Sequence, residues 1–334
     1  MVETICKRRL ESGKTMQKTE KIIVIAVGGN SLIKSEQEGS IEEQYQNAHT
    51  TCKQVIELVK EGYKVVITHG NGPQVGNIFL RVENTRNITY NIPLDYCGAM
   101  SQGLLGYLLS NVLEEYIRAE NLEIPVDTII TRTVVDKNDP AFQNPTKPIG
   151  KFYSEKEAVS LAQQFGYIMK EDSGRGYRQV VCSPTPVNIL ELAAIKALAS
   201  EGHIVVSCGG GGVPVIVHED GKISGVEAVI DKDMTSSMLA SKIGAETLLI
   251  STAVDNVYIN FGTENQKALG LVTTQELKTH LNNDEFKSGS MKPKIIAALN
   301  FINSGGKKAI ITSPENILKT VKNTGIGTHI VNKI

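Results

Sequence analysis

Short β-branched runs recur along the chain with helix-length stretches between them. They read KIIVIAV at 21–27, KVVIT at 64–68, VDTIIT at 126–131, HIVVSC at 203–208, ETLLIS at 246–251 and KKAIIT at 307–312. Parallel neighbours in a sheet need a crossover of about a dozen residues or more, usually a helix, and the spacing here supplies that. The alternation predicts an α/β fold built on a mostly parallel, doubly wound sheet. The intervening stretches carry helix signals of their own. Ser40 and Glu43 form a capping-box pair, and Ile41, Tyr45, Ala48, Cys52, Val55 and Val59 follow at helical spacing to about Glu61. Pro73 suits the first turn of a helix. A long helix is expected from about Tyr96 to Glu120, another over NILELAAIKALASEG ending at Gly202, and a third near 291–304.

Composition narrows the function classes. The 334 residues are 41% hydrophobic and 21% charged, enough for one large α/β domain or two smaller ones. A formal net charge of −1 gives no global field for nucleic acid or an anionic membrane, so bound anions must be met by local lysines and backbone N–H groups. No apolar run reaches the roughly 18 residues of a membrane span. Five scattered cysteines without a C-x-x-C pair suggest neither a disulfide framework nor a zinc site, and a reducing cytoplasm fits. Residues 1–20 lack the apolar centre of a secretory signal. They read as a disordered leader before a domain at 21–334, with Met16 an alternative start.

The middle of the chain differs. Five of the eleven prolines (Pro140, Pro145, Pro148, Pro184 and Pro186) lie between 140 and 186, too many for a central layer of sheet. Residues 134–183 are expected to form an inserted flap, rooted in the main sheet and projecting as a lid, because long excursions in compact domains are more often functional than idle.

Three glycine clusters follow three of the strands: Gly28-Gly29-Asn30, Gly70-Asn71-Gly72, and Gly209 to Gly212. A glycine after a strand is commonly only a turn. Three at the carboxyl ends of strands in one doubly wound sheet favour a shared polyanion site, with Gly70 and Gly72 baring their N–H groups to a small anion. The chain has no Walker P-loop, dinucleotide fingerprint, protein-kinase signature or serine elbow. His69 abuts a glycine loop but reads as a hydrogen-bonded neighbour without a catalytic role. Lysines are better placed. Lys232 stands just before Asp233, which fits a helix N-cap; Lys292 and Lys294 start another helix; Lys147 sits in the proline-stiffened NPTKPIG. Any single lysine is most often solvent-facing, but each of these adjoins conformationally special residues.

The blocks VGGNSLI, HGNGPQVGN, PLDYCGAMSQGLLGY, DPAFQNPTKPIGKFY, EDSGRGYRQVV, CGGGGVPV, GVEAVIDKDM and GSMKPKIIAAL together resemble the carbamate kinases of the amino acid kinase family, from about Lys21 to the C-terminus. Ser31 and Cys182 stand where alanine and proline are usual. The resemblance implies a three-layer α/β/α sandwich of about eight strands, a homodimer, and Mg²⁺-dependent phosphoryl transfer between carbamoyl phosphate and ADP, giving ATP and carbamate. It implies an ATP-generating role in arginine, citrulline or purine catabolism. By motif position, Lys147, Lys232 and Lys294 contact phosphate and Asp233 organises them. Gly28, Gly29, Asn30, Gly70, Asn71 and Gly72 would form the carbamate side, within 21–205. Gly210, Gly211, Asp255, Tyr258, Gly289, Ser290 and Met291, with Lys294, would form the nucleotide side, within 206–334. No metal ligand is assigned to the protein, since phosphates and water would hold the magnesium. Carbamate is already anionic and needs no general base, so the task is charge neutralisation and alignment. The other readings are a family relative acting on another carboxylate or a nucleotide, and a non-catalytic ligand sensor.

Overall fold

The computed structural model describes residues 21–34, 37–172, 174–286 and 291–333. The expected leader, with Met16, lies outside them. In chain order the principal elements are β1 (Ile22–Val27), α1 (Ile41–Lys60), β2 (Lys64–His69), α2 (Gly72–Thr85), α3 (Leu94–Ala119), β3 (Val126–Thr128), β4 (Arg132–Val135), β5 (Lys147–Tyr153), α4 (Glu155–Phe165), β6 (Met169–Glu171) and β7 (Tyr177–Val181). There follow β8 (Pro186–Ile189), α5 (Leu192–Glu201), β9 (Ile204–Val206), β10 (Val213–Val217), β11 (Ile223–Gly225), α6 (Lys232–Ile243), β12 (Thr247–Ser251), β13 (Val257–Ile259), β14 (Lys267–Leu269) and β15 (Leu271–Thr273). The chain closes with α7 (Thr274–Asn282), α8 (Met291–Asn303), β16 (Lys308–Thr312), α9 (Ile317–Val321) and β17 (Thr328–Val331).

Eight strands form the central sheet in the order β15-β17-β16-β12-β1-β2-β9-β3. All neighbours are parallel except β16 and β17. β1 explains why its run is apolar at every position. Ile22, Val24 and Ala26 face one core with α5, α6 and α8; Ile23, Ile25 and Val27 face a second with α1, α3 and α9. A strand buried on both faces has no polar alternation to display. The expected three-layer sandwich follows from this double burial.

Local signals set the helix ends. Ser40 caps α1 in a full capping box with Glu43, and Gly202 closes α5 in the left-handed conformation. The stretch NILELAAIKALASEG departs from its helical reading at its start. Asn188 and Ile189 belong to β8, because Ile189 pairs antiparallel with Thr133 and is buried there. Tertiary pairing overrides helical propensity at that point.

The middle segment joins a different sheet from the one expected. β4 and β8, which flank it, pair with β10 and β11 in a separate four-stranded sheet and not in the main one. From that base, β5, β6 and β7 form a three-stranded sheet carrying α4. The short pairing of β4 with β8 excludes both from the long parallel ladder. Among the described residues no helix is long and apolar enough to cross a membrane.

Gly106 marks close packing of α3 on β3. A Cβ there would stand 2.2 Å from Thr128 Cγ2 and 3.1 Å from Thr128 Cβ. In an exposed helix, Gly→Ala gains up to about 1 kcal/mol; here overpacking costs about 1–3 kcal/mol and decides the sign. Gly106→Ala is expected to lower the urea midpoint, and adding Thr128→Ala to recover most of the loss.

Candidate active site

The glycine loops after β1, β2 and β9 meet at the carboxyl ends of the parallel strands. Gly70 suits a position where a Cβ would lie 3.0 Å from Gly29 N and 3.3 Å from Gly29 Cα, a tight approach to backbone, with the Lys232 stem in ordinary contact at 3.6 Å. Gly210, at φ +64°, accommodates Asn71, whose amide nitrogen would be 2.2 Å from a Cβ there. A Cβ on Gly209 would lie 2.5 Å from the His69 ring. The Asn71 amide donates to Ser101 Oγ on α3 at 2.7 Å. Gln102, one residue on, both donates to Thr131 O and accepts from Thr131 N, while Thr131 Oγ1 accepts from Cys208 N. The long helix α3 thus braces the second and third loops.

This packing corrects the role expected for Gly70. Its N–H donates to Val27 O at 2.9 Å, and the Gly28 N–H donates to Ser251 O at 3.1 Å. Both donors are committed inside the protein and are not offered to an anion. Gly70 serves the close backbone approach of two loops. Gly28 is similarly constrained, since its Cβ would stand 2.9 Å from Ser251 O.

Over these loops lies a cleft of 210 Å³, bounded by Asn71 and Gly72, by Lys147 of the flap, by Asp231 to Asp233 at the start of α6, and by Lys294 of α8. Lys232 Nζ donates to Asp233 Oδ1, and Lys294 Nζ donates to Asp233 Oδ2 at 3.0 Å. Across from them Lys147 Nζ donates to Asp231 Oδ2 at 2.9 Å. Three ammonium groups therefore face two carboxylates, leaving an excess positive charge for an anion.

The helix start is not organised as the sequence suggested. Asp231, not Asp233, is the N-cap of α6, its Oδ1 accepting from the backbone N–H of Asp233 and Met234. Asp233 lies inside the first turn, 3% exposed. The string Asp231-Lys232-Asp233 offers two acidic capping candidates, and propensity cannot choose between them. Asp231 was the site residue missed in the sequence; a second acid two positions before Asp233 was its signal. Thr235 Oγ1 and Thr133 Oγ1 both donate to Gly211 O, at 3.0 and 2.8 Å, which ties α6 to the third loop.

Burial raises the Asp233 carboxyl, but Lys232 and Lys294 outweigh it and hold the group down to about 2. Burial lowers Lys232, and the Asp233 charge opposes that shift. His69, buried beneath the loops, is pushed down to about 4 by burial first, against a contact with Gly70 O and helped by the Lys232 charge. Its ring is neutral at physiological pH, which suits the structural role expected for it.

The remaining expected residues are dispersed. Gly29, Asn30 and Ser31 form a single 3-10 turn after β1. Asp255 lies in the loop after β12 and accepts from Asn316 Nδ2 at 2.9 Å. Tyr258 is on β13 with its ring 6.1 Å from that of Phe261, and Met291 opens α8 and packs on the core. None of these three lines the 210 Å³ cleft. Gly289 and Ser290 lie outside the described residues.

Residues 21–313 match the amino acid kinase family. The chain belongs to that family. A carbamate kinase of Pyrococcus furiosus is 48% identical over 314 residues, covering 93% of this chain and 99% of that protein. One of Clostridium perfringens is 46% identical, covering 92% and 99%. The solved structure of carbamate kinase from Giardia lamblia bound to AMP-PNP aligns with a TM-score of 0.88 at 39% identity, covering 94% of this chain and 99% of that one. Amino acid kinases are phosphotransferases, and a charge-neutralising cleft without a paired acid and base fits that chemistry.

Two outcomes follow from the buried charges. Asp233→Asn leaves two lysines facing each other without their carboxylate, so it is expected to cost about 3–5 kcal/mol in urea unfolding while the Asp231 cap stays in place. His69 binds fewer protons folded than unfolded between pH about 4 and 6.5. Stability therefore rises with pH across that window, complete above it, by about 3 kcal/mol from this group. His69→Gln should flatten that part of the stability profile measured by urea titration at successive pH values.

Proposed function

We infer that this chain is a carbamate kinase, transferring a phosphoryl group between carbamoyl phosphate and ADP to give ATP and carbamate. One observation carries the reading: Asp233 holds the ammonium groups of Lys232 and Lys294 on its two oxygens, opposite Lys147, above converging glycine loops. In the forward direction a β-phosphate oxygen of ADP attacks phosphorus, and the bond to the carbamoyl oxygen breaks as carbamate leaves. Both reactants are anions, so the protein's task is to neutralise and align them. Lys232, Lys294 and Lys147 supply the charge, while Asp233 keeps two of them in register.

Gly29, Asn30, Asn71 and Gly72 would hold the carbamoyl end, within 21–205, on loops that Gly28 and Gly70 brace through their bonds to Ser251 O and Val27 O. Gly210, Gly211, Asp255, Tyr258, Gly289, Ser290 and Met291 would hold the nucleotide, within 206–334; the Giardia relative's AMP-PNP complex supports a nucleotide here. Residues 134–183 would act as the lid that brings Lys147 and excludes water. The described residues contain no cluster of three or more His, Cys, Asp or Glu suited to a metal. Both oxygens of Asp231 and of Asp233 are already engaged by lysines or backbone N–H groups. These side chains do not make a metal site as they stand; magnesium would enter with the nucleotide as part of the substrate.

A homodimer belongs to the same proposal. Tyr96, Met100, Leu104 and Tyr107 form an exposed apolar stripe along α3, a surface suited to a second copy of the chain. A cytoplasmic location fits the free thiols of Cys52, Cys97, Cys182 and Cys208.

ATP formation from carbamoyl phosphate, ADP and Mg²⁺ in a coupled assay tests the reading. Lys232→Ala is expected to lower turnover about 10²–10³-fold, as for loss of one preorganised charge. Lys147→Ala should raise the KM for carbamoyl phosphate and lower kcat while nucleotide affinity measured by calorimetry stays near the parent value. A fully active Lys232→Ala protein would sink the assignment.

A further inference from the structure

We propose that Arg178 is a positioning residue for Lys147, acting through the strand bulge at Gly150. The inference rests on the reading that Lys147 meets the transferring phosphoryl group.

β5 and β7 pair antiparallel, with Lys147 opposite Val181, Pro148 opposite Val180 and Ile149 opposite Gln179, and then resume at Tyr153 opposite Tyr177. Between those matched pairs the residues Gly150, Lys151 and Phe152 oppose the single residue Arg178. A bulge leaves ladder groups without partners and bends its strand. Arg178 supplies a substitute donor from the facing strand: its Nη2 donates to Gly150 O at 3.0 Å. Its Nη1 reaches Asp172 Oδ2 at 3.4 Å, and its Cζ stands 5.2 Å from the Phe152 ring centre. One planar guanidinium thus grips the bulge carbonyl, a carboxylate and an aromatic ring together, which a lysine's compact ammonium cannot reproduce. The side chain is 20% exposed, so these contacts are largely shielded from water.

The bulge is also where the flap meets the body of the enzyme. Gly150 adopts φ +71°, and a Cβ on Gly76 of α2 would stand 3.2 Å from Gly150 N and Cα. Two glycines let a strand and a helix touch backbone to backbone. The same α2 begins at the cleft with Gly72, so the bulge fixes β5 against an element that itself bounds the site. Ile149, the residue before the bulge, is buried with Val75 of α2. Lys147 lies three residues before Gly150, roughly 10 Å along an extended strand. Arg178 therefore acts on Lys147 through the backbone. A one-residue slip of β5 would turn Lys147 to the opposite face of its sheet and away from Asp231.

A double-mutant cycle on the full-length enzyme tests this, with kcat and KM measured for both substrates. Arg178→Met is expected to lower kcat/KM for carbamoyl phosphate by about 10–100-fold, the scale of small misplacements, with the KM for ADP unchanged. Arg178→Lys should recover little of it. In a Lys147→Ala background the same Arg178→Met change should cost less than about twofold, because coupled residues are not additive. Equal losses in the two backgrounds, or no loss in the parent, would overturn the proposal. If Lys147→Ala alone is fully active, the reading of Lys147 fails, and Arg178 as its positioner fails with it. Should Arg178→Met not fold, Gly76→Ala presses on the same bulge, and equal losses from it in both backgrounds overturn the idea as well.

Discussion

The site depends on one carboxylate. Asp233 accepts from Lys232 on one oxygen and from Lys294 on the other, and it is buried in the first turn of α6. Two ammonium groups would otherwise repel one another in a region poor in water. A buried charge without partners costs several kcal/mol, while a well-bonded cluster can persist. The triad links α6 to α8, so the position of each lysine is a property of how two helices pack, not of either helix alone.

Around that centre the fold supplies approach surfaces. The parallel sheet brings three glycine loops to one end, and the absence of side chains at Gly70, Gly209 and Gly210 lets those loops touch. Their backbone donors at Gly28 and Gly70 are spent on Ser251 and Val27, which makes the loops rigid supports. Charge comes from the lysines and shape from the glycines. That division suits phosphoryl transfer, in which the protein aligns and neutralises more than it reacts.

The flap adds a second support. Lys147 reaches Asp231, the N-cap of α6, so the middle segment is joined by an ion pair to the turn that carries Lys232 and Asp233. The main chain makes a parallel link, since Val229 N donates to Cys182 O at the flap's exit. Both links join segments far apart in sequence, and neither has a local signature.

Much was legible from sequence alone. The apolar runs marked the strands because burial on both faces leaves no polar position, and Ser40 with Glu43 marked a helix start because capping is chemistry within four residues. Lys147, Lys232, Lys294 and Asp233 stood out by their placement beside conformationally special residues and took their expected roles from motif resemblance, and each of the three ion pairs described at the cleft involves at least one of them. Tertiary structure decided the rest. Asp231 took the cap because Asp233 was drawn into the lysine pair by α8, sixty-one positions away along the chain. β4 and β8 left the main sheet because they found each other and β10, and Ile189 became a strand residue instead of a helical one. Gly70 serves loop contact because Gly29 and Lys232 arrive beside it. Sequence reports preferences that act over a few residues; which distant group fills a given space is fixed only when the chain packs.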